Sequence, residues 1–418
     1  MMRILVLSEG VPSRIGGGRS RQFNLIKSLS RRHNYTVMTF GSAEESQAIA
    51  ELQRICEEVV VLTRPPEPTM NRTRAYYRIT GWKHTLLDSW PNRGHWLITP
   101  DTKEMVRDMF RRKSFDLVQV HQGYIAPLMP NGLTCPTLLD MHDVLSDHER
   151  RVFDSARGFG FRVGAFAEWR KMRRFERQTL SRFDACTVVS DHDRCSVIDL
   201  ASLANPIVVP NGVDTDYFQP VFRPSDATSV LFIGSMNYSP NESGLLHFFK
   251  FIWPRVRIQV PEARLSIVGT SPPTSITEFS GKENITVIGE VPDVRPYFEQ
   301  AAVSICPIYT GSGTRLKILD GWAMGKAIVS TSLGAEGLDA EHETNILLAD
   351  TDEAFARCVV RLLQDAGLRY NLGDQGRNMV EKRYSWHCIS EQLETAYESA
   401  TQSYETRNGN RGSGWRET

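Results

Sequence analysis

Short apolar runs alternate with helical patterns along most of this chain, and this alternation limits the possible folds more than any other feature. Residues 3–8 read Arg-Ile-Leu-Val-Leu-Ser, which is typical of a buried parallel strand. A helical pattern follows, with Phe23, Ile26 and Leu29 on one side. Further strand patterns occupy residues 35–40, 58–62, 116–121, 137–142, 184–190 and 207–210. Strands separated by helices form parallel, doubly wound sheets, so we predict an α/β fold.

The alternation stops and restarts once. Residues 219–229 contain prolines and turn formers, which predict a linker. Beyond it, strand patterns return at 230–234, 264–269, 285–289, 303–308 and 327–331, with a helical pattern at 242–259. We therefore predict two doubly wound, Rossmann-like domains that face each other across a cleft, the first over residues 1–218 and the second over residues 230–385.

The C-terminal residues form a third part of the prediction. A helix at 386–404 is expected to cross back toward the N-terminal domain. The segment that follows, 405–418, is polar and rich in glycine, and we expect it to be disordered.

Charge and cysteine content narrow the class of protein. Lys and Arg number 49, as do Asp and Glu, so the net charge is zero, which argues against a nucleic-acid binder. The seven cysteines form no C-x-x-C pair, which predicts a reducing, cytoplasmic compartment and no structural zinc. No apolar run is long enough to cross a membrane.

A loop and helix at 311–325 carry the strongest chemical signal. The loop Gly311-Ser-Gly-Thr opens a helix that has Arg315 and Lys317 at its start. A helix N-terminus offers free N–H groups to an anion, and two cations add to the attraction. Lys317 and Asp320 are three residues apart and share one helix face, so a phosphate on Lys317 and a sugar hydroxyl on Asp320 would describe a nucleoside diphosphate. The plainer alternative is a solvated basic turn.

Eight segments follow one another along the chain as a set. They are Gly16-Gly17-Gly18, His142-Asp143, residues 188–191, 209–214, 232–241, 265–269 and 287–293, and the loop-helix at 311–325. In this order they resemble retaining glycosyltransferases of family 4, which have the GT-B fold. The resemblance covers about residues 3–400, and the version at 232–241 is similar to transferases of exopolysaccharide and cell-surface glycan assembly.

The resemblance implies a hexosyltransferase that uses a UDP- or GDP-linked sugar and retains the anomeric configuration. The acceptor would be a glycan or a lipid-linked molecule, and no cofactor or metal would be needed. The nucleotide would lie on the C-terminal domain. His142 would lie near the donor sugar, and Arg315 and Lys317 would stabilise the charge that grows on the leaving diphosphate. Structural roles remain open for each: a strand-end cap for His142, a surface ion pair for Arg315 and a solvated helix face for Lys317.

Seventeen further residues are predicted to bind substrate. They lie after strands or in the loop-helix, where ligands bind in such sheets. They are Gly16, Gly17, Gly18, His121, Asp143, Asn211, Gly234, Ser235, Gly289, Glu290, Val291, Gly311, Ser312, Gly313, Thr314, Leu316 and Asp320.

Two departures from the family pattern qualify the prediction. The family has an acidic pair, Glu-x7-Glu, whose second member matches Asp320, but the first falls on Ser312, which is not acidic. The family often has cations after the first strand of this domain, whereas residues 234–241 have none. We infer that Arg315 and Lys317 compensate the diphosphate instead.

Two other features of the sequence concern metal binding and membrane binding. Asp214-Thr-Asp216 has the form of a metal-binding D-x-D pair, but it lies in a loop that the family uses without metal. Basic and aromatic residues interleave at 146–183 and 72–97, which indicates docking on an anionic membrane at its inner face, or a charged helix that packs its aromatic residues into the core.

Two alternative functions stay open. A non-catalytic protein of the same fold that binds a nucleotide sugar is favoured by Ser312. A nucleotide-sugar epimerase would need acid and base groups that the sequence does not identify.

Overall fold

A computed structural model describes residues 1–14, 17–64, 91, 97–156, 158–201, 205–220, 226–311 and 313–412, the last four without their side chains. The chain forms two compact units. Unit 1 contains residues 1–210 and the residues from 389 onward, and unit 2 contains residues 211–388. The predicted boundaries at 218 and 385 therefore differ from the divisions between the compact units.

Unit 1 is built on a seven-stranded parallel sheet in the order β3-β2-β1-β4-β5-β6-β7. Its strands are β1 (Arg3–Ser8), β2 (Asn34–Gly41), β3 (Glu58–Thr63), β4 (Leu117–His121), β5 (Thr137–Asp140), β6 (Ala185–Val188) and β7 (Ile207–Val208). Every residue of β4 and β5 is buried, as expected for central strands that are covered by helices on both faces.

Helices separate these strands. They are α1 (Gly17–Leu29), α2 (Ser46–Gln53), α3 (Pro100–Arg112), α4 (Leu145–Ser155), α5 (Phe159–Leu180) and α6 (Asp191–Leu200), with short 3₁₀ turns at Ala43–Glu45 and Gly123–Leu128. The α3 helix starts at a capping box, in which Thr99 accepts the N–H of Thr102 and Pro100 occupies the first turn.

Unit 2 is built on a six-stranded parallel sheet in the order β10-β9-β8-β11-β12-β13. Its strands are β8 (Asp226–Ile233), β9 (Arg264–Val268), β10 (Ile285–Gly289), β11 (Ala301–Cys306), β12 (Ala327–Ser330) and β13 (Leu347–Leu348). Its helices are α7 (Ser239–His247), α8 (Trp253–Gln259), α9 (Thr274–Thr277), α10 (Arg295–Gln300), α11 (Leu316–Ala323), α12 (Asp352–Gln364) and α13 (Ala366–Met379). The doubly wound α/β prediction is confirmed for both units.

Two expectations for unit 2 are wrong in detail. Strand β8 begins at Asp226, so the last residues of the expected linker are strand, and residues 221–225 lie outside the described residues. The helix expected at 242–259 is interrupted by a π-helical turn over Phe248–Ile252 before α8 begins. Pro254, in the first turn of α8, has no N–H to donate, and in a regular α-helix its ring would clash with the carbonyl four residues earlier.

The last helix, α14 (Trp386–Gly412), continues past the expected end at 404. From Ile389 onward it packs within unit 1, where the Tyr397 hydroxyl donates to Gln119 Oε1 at 2.7 Å. The Arg407 guanidinium lies 2.8 Å from the Asp184 carboxylate. The disorder expected from residue 405 is therefore wrong as far as Gly412, and residues 413–418 lie outside the described part of the chain.

The strand order reverses once in each sheet. In unit 1 the reversal lies between β1 and β4, and in unit 2 it lies between β8 and β11. The connections on either side of such a reversal run to opposite faces, which leaves a crevice outside the carboxyl ends of the two strands. Residues that follow these four strands are therefore the ones that the fold places for ligand binding.

None of the helices in the described part of the chain combines the length and the apolar character needed to span a bilayer.

Candidate active site

The crevice of unit 2 holds the residues predicted to grip a nucleotide. Gly234 and Ser235 follow β8, and the loop from Gly311 leads from β11 into α11. Lys317 is in the first turn of α11, while Arg315 is its N-cap residue rather than a helical one. Both segments therefore meet at the strand reversal.

The Lys317 ammonium reaches across this crevice to the end of β8. Its Nζ donates to Asn241 Oδ1 at 2.8 Å and lies 4.0 Å from the centroid of the Phe232 ring. Asn241 is fixed in turn, because its Nδ2 donates to the carbonyl of Ser235 at 2.7 Å. The helix thus supplies a cation to a segment whose own sequence has none.

Gly234 makes this position of Lys317 possible. A Cβ at residue 234 would lie 2.8 Å from Lys317 Nζ and 2.9 Å from Asn241 Nδ2, closer than such atoms normally approach. The sequence predicts Gly234 and Lys317 as site residues but does not predict Asn241, which lies in the 232–241 segment. A polar residue in the first turn of a helix, directly after a glycine-bearing strand end, was the available signal.

The charge of Lys317 is not matched by a carboxylate among the described residues. Its pKa is lowered to about 8, mainly by burial, with a raising effect of Cys306 and a further lowering effect of the nearby Arg315 included in that value. A desolvated cation next to a second cation is costly unless an anion joins them. The electrostatics therefore favour a bound anion at this position.

The loop before α11 supplies further hydrogen-bond donors near the Lys317 ammonium. The Thr314 hydroxyl oxygen is buried and has no hydrogen-bond partner among the described residues. Arg315 is buried, and its Nη1 donates to the carbonyl of Gly313, so it is not a surface ion pair. Gly311 and Gly313 have positive φ values of 102° and 82°, which suit glycine. Leu316 is half-buried, and Ser312 lies outside the described residues.

Asp320 lies one turn along α11 from Lys317, on the same face. Its carboxyl is half-buried, and burial raises its pKa to about 7. Within the described ranges no side chain or backbone group forms a hydrogen bond with this carboxyl group. A ligand hydroxyl would supply the missing partner.

The end of β10 completes this edge of the sheet. Gly289 has a φ of 84°, and its carbonyl accepts the N–H of Gly269 at 2.8 Å. Glu290 is exposed and Val291 is half-buried, packed beside a buried apolar cluster. The structure shows these residues at the correct edge but gives them no direct contact with Lys317.

The crevice of unit 1 holds a different arrangement. His121 ends β4 and His142 follows β5, and their rings approach to 3.2 Å between His121 Nδ1 and His142 Nε2. Both nitrogens face Asp140 Oδ2, at 2.9 Å and 3.3 Å respectively. Burial lowers the pKa of His121, although Asp140 opposes this effect.

Asp140 and Arg21 form the buried centre of this cluster, and sequence reasoning named neither as a site residue. Both side chains are fully buried, with Arg21 Nη2 at 2.9 Å from Asp140 Oδ1. Burial alone would raise the pKa of Asp140, but Arg21 and the hydrogen bonds from both histidines lower it well below its usual range. A charged residue on the apolar side of α1 was the available signal.

Gly18 is fitted to His142. A Cβ at residue 18 would lie 2.5 Å from His142 Nδ1, whereas a Cβ at Gly17 would meet nothing within 4 Å. Both glycines are the first residues of α1 rather than a loop, and Gly16 lies outside the described residues. The physical requirement for glycine is therefore shown at residue 18.

His121, Asp140 and His142 are close enough to one another to hold a metal ion. Their chemistry does not fit one, because the Asp140 carboxylate is already compensated by the Arg21 guanidinium. A divalent cation would have to bind beside that fixed positive charge. We therefore interpret the cluster as a neutralised ion pair that orients two histidines.

Asp143 and Asn211 are the remaining predicted residues, and Asp214 belongs to the D-x-D pair. Asp143 is half-buried, and it contributes to the raised pKa of Asp193, about 6, whose main cause is burial. Asn211 begins unit 2. Asp214 Oδ1 accepts the backbone N–H groups of Asp216 and Tyr217, at 3.2 Å and 3.0 Å, so it stabilises a turn.

Comparisons with known proteins agree with this architecture. A family model described as Glycosyltransferase Family 4 matches residues 15–217, and one described as Glycosyl transferases group 1 matches residues 227–365. A relative from Klebsiella pneumoniae, an uncharacterized 44.6 kDa protein in the cps region, is 20% identical over 294 residues, which are 68% of this chain and 74% of the relative.

Solved structures share the fold. Sucrose-phosphate synthase from Thermosynechococcus elongatus has a TM-score of 0.69 at 16% identity, covering 95% of this chain and 98% of that one. HepE of Anabaena, in complex with UDP and glucose, has a TM-score of 0.67 at 14% identity, covering 96% and 100%. TarM has a TM-score of 0.68 at 11% identity, covering 95% and 99%. Both halves of this chain are therefore glycosyltransferase domains, and the protein is a glycosyltransferase with the GT-B fold.

Proposed function

We propose that the protein transfers a sugar from a nucleotide-diphosphate sugar to a glycan or lipid-linked acceptor, with retention of anomeric configuration and without a metal ion. The observation that carries the proposal is the position of Lys317 at the strand reversal of unit 2, held by Asn241 and by the absence of a side chain at Gly234. We assign it to the donor diphosphate.

The surrounding groups fit the other parts of a donor. Thr314 and the first N–H groups of α11 can donate to phosphate oxygens, and Asp320 can accept from a ribose hydroxyl. As the anomeric bond breaks, negative charge moves onto the diphosphate, and Lys317 and Arg315 would stabilise it. We assign His142 to the donor sugar, with its orientation fixed by Asp140.

The comparisons guide the choice of donor and pathway. HepE has been solved with UDP-glucose, which makes a UDP-linked sugar the first donor to test here, with GDP-linked sugars as the second. The relative from a cps region supports a role in polysaccharide assembly. The seven free thiols suit a cytoplasmic site of action, which forms part of the proposal.

The test is a thermal-shift screen with UDP, GDP, ADP and their sugar conjugates. A ligand that binds the folded state raises stability by RT ln(1 + [L]/Kd). We expect one diphosphate to stabilise the native protein and to lose this effect in Lys317→Ala, while Lys282→Ala, which removes an exposed cation of the same unit, keeps it. The anomeric signal of the product, read by NMR, then tests retention.

Two results would contradict the proposal. Stabilisation by no nucleotide would remove the donor site from α11. Binding without transfer to any acceptor would make the protein a non-catalytic nucleotide-sugar binder of the same fold.

A further inference from the structure

Three large aromatic side chains lie in solvent at the start of α5. Phe159 is 86% exposed, Phe161 63% and Phe166 44%. The other exposed large hydrophobic residues of the described chain are spread over both units, one or two to an element. Single apolar residues at a surface are ordinary, whereas a cluster marks a surface that is made for contact.

Aromatic packing holds Phe166, the least exposed of the three, in place without covering it. Phe153 of α4 stacks on Trp169 of α5 with ring centroids 5.9 Å apart, and Phe166 packs against both rings at 5.5 Å and 5.7 Å. The Arg162 guanidinium lies 4.7 Å from the centroid of Phe153. These rings are not members of the main apolar core described for unit 1. They form a separate support at the end of the α4–α5 pair.

The exposed charges on the outer face of α5 are all basic. Phe161 does not share this face, because it lies about 200° around the helix from Phe159. At 100° per residue, Phe159 and Phe166 share a face with three exposed arginines, namely Arg170, Arg173 and Arg177. Arg174 is also exposed at the border of this face, and Arg173 donates to the backbone carbonyl of Asp199.

The acidic residues of α5 do not oppose this charge. Glu176 is buried and accepts the N–H groups of Leu145 and Ser146 at 2.7 Å and 3.1 Å, and Glu168 is half-buried on another side of the helix. The outer face of α5, from Phe159 to Arg177, is therefore cationic with an aromatic end.

We propose that this outer face of α5 docks on an anionic lipid surface. Aromatic rings enter the boundary between headgroups and acyl chains, and arginines attract anionic headgroups. At 1.5 Å per residue, the exposed arginines of this face span about 10 Å of helix, and Phe159 lies about 17 Å before the first of them. A face with a ring at one end and cations at the other suits the boundary between the acyl chains and the anionic headgroups of a bilayer. The surface lies on the unit that does not carry the proposed nucleotide site.

The test is co-sedimentation with phosphatidylcholine vesicles that contain about 30% phosphatidylglycerol, beside vesicles of phosphatidylcholine alone. We expect the native protein to bind the anionic vesicles, and added salt to weaken this binding. Phe159→Ser should bind about fivefold more weakly, and Arg170→Glu/Arg174→Glu at least tenfold more weakly, because each cation near such a surface contributes about fivefold.

Two matched variants separate this face from general effects. Ile258→Ser changes a side chain that is 80% exposed on unit 2, and Arg31→Glu/Arg54→Glu makes the same charge change at two exposed arginines of unit 1. Both should bind like the native protein. The altered side chains are exposed, so melting temperatures should stay close to the native value.

Three results would overturn the proposal. They are failure of the native protein to bind anionic vesicles, equal binding to both vesicle types, and undiminished binding by the α5 variants. The last result would assign lipid contact to another part of the chain. No nucleotide is present in this experiment, so its failure is distinguishable from failure of the proposed transferase function.

Discussion

Both units have polar residues at the carboxyl ends of their strands, but the charge at these ends is compensated within the protein only in unit 1. In unit 1, Arg21 and Asp140 are fully buried and neutralise each other. In unit 2, Lys317 contacts an amide oxygen and a ring face, which are both uncharged. A shared topology therefore does not dictate a shared chemistry.

The difference indicates what each crevice still lacks. A buried ion pair is compensated within the protein, and its value lies in the geometry that it imposes on its neighbours. A desolvated cation without a counter-charge gains most when an anion arrives. We interpret the crevice of unit 1 as a preset scaffold for His142, and that of unit 2 as an incomplete anion site.

Asp140→Asn should have the largest effect, because it leaves Arg21 buried without its counter-charge. Removing one partner of a buried pair costs about 3–5 kcal/mol of unfolding free energy. Denaturant unfolding measures this loss. Asp116→Asn breaks the exposed pair with Arg3 on the same unit and should cost about 0–1 kcal/mol. Equal losses in the two variants would contradict the scaffold interpretation.

Gly18→Ala should have the next largest effect, since its methyl group would overlap His142 Nδ1. Overpacking of this kind costs about 1–3 kcal/mol or displaces the ring. Gly17→Ala adds the same methyl group to open space one residue earlier. We expect transfer activity to fall in the first variant and to persist in the second. A similar loss in both would point to contacts of the α1 backbone itself.

Gly234→Ala should weaken nucleotide binding by about tenfold or more, because the new Cβ competes with the Lys317 ammonium for space and affinity follows the lost contact. Calorimetric titration with the preferred diphosphate measures this effect. Gly164→Ala, which adds a methyl group to open space in α5, is the matched control and should leave affinity unchanged. If Gly234→Ala binds the nucleotide with native affinity, Lys317 does not belong to the nucleotide site.

Local patterns predicted the fold well because they report on individual elements. The burial of β4 and β5 follows from their apolar runs, and the chain direction follows from the helices between them. The end of α14 was missed, because the segment after 404 has no apolar periodicity. The Arg407–Asp184 ion pair contributes to its order, and such a tertiary contact has no local signal.

The site was predictable to the extent that its residues belong to one segment. Lys317, Thr314 and Asp320 are neighbours in sequence, so a single segment predicts all three as site residues. Asn241 is 76 residues from its partner Lys317, and Arg21 is 119 residues from Asp140. A single sequence carries no record of such pairings. The difference in charge compensation between the two crevices is therefore visible only in the structure.

The pH dependence of nucleotide binding gives the smallest expected effect and the most direct test of the unmatched cation. The pKa of Lys317 is about 8 in the free protein, and a bound diphosphate should raise it. Binding then takes up a proton, so affinity is highest below pH 8 and falls as pH rises through that value. We expect a loss of about three- to tenfold between pH 7 and pH 9.

Calorimetry at pH 8 in two buffers of different ionisation enthalpy measures the proton uptake directly. Measurements above about pH 7 avoid the titration of the terminal phosphate of the nucleotide itself. Lys317→Met removes this titrating group and should bind weakly at every pH, without the fall in affinity around pH 8, so that only the titration of Asp320 near pH 7 remains. A flat profile in the native protein would mean that Lys317 does not meet the diphosphate, and the contrast between a neutralised crevice and an open one would then need another cation.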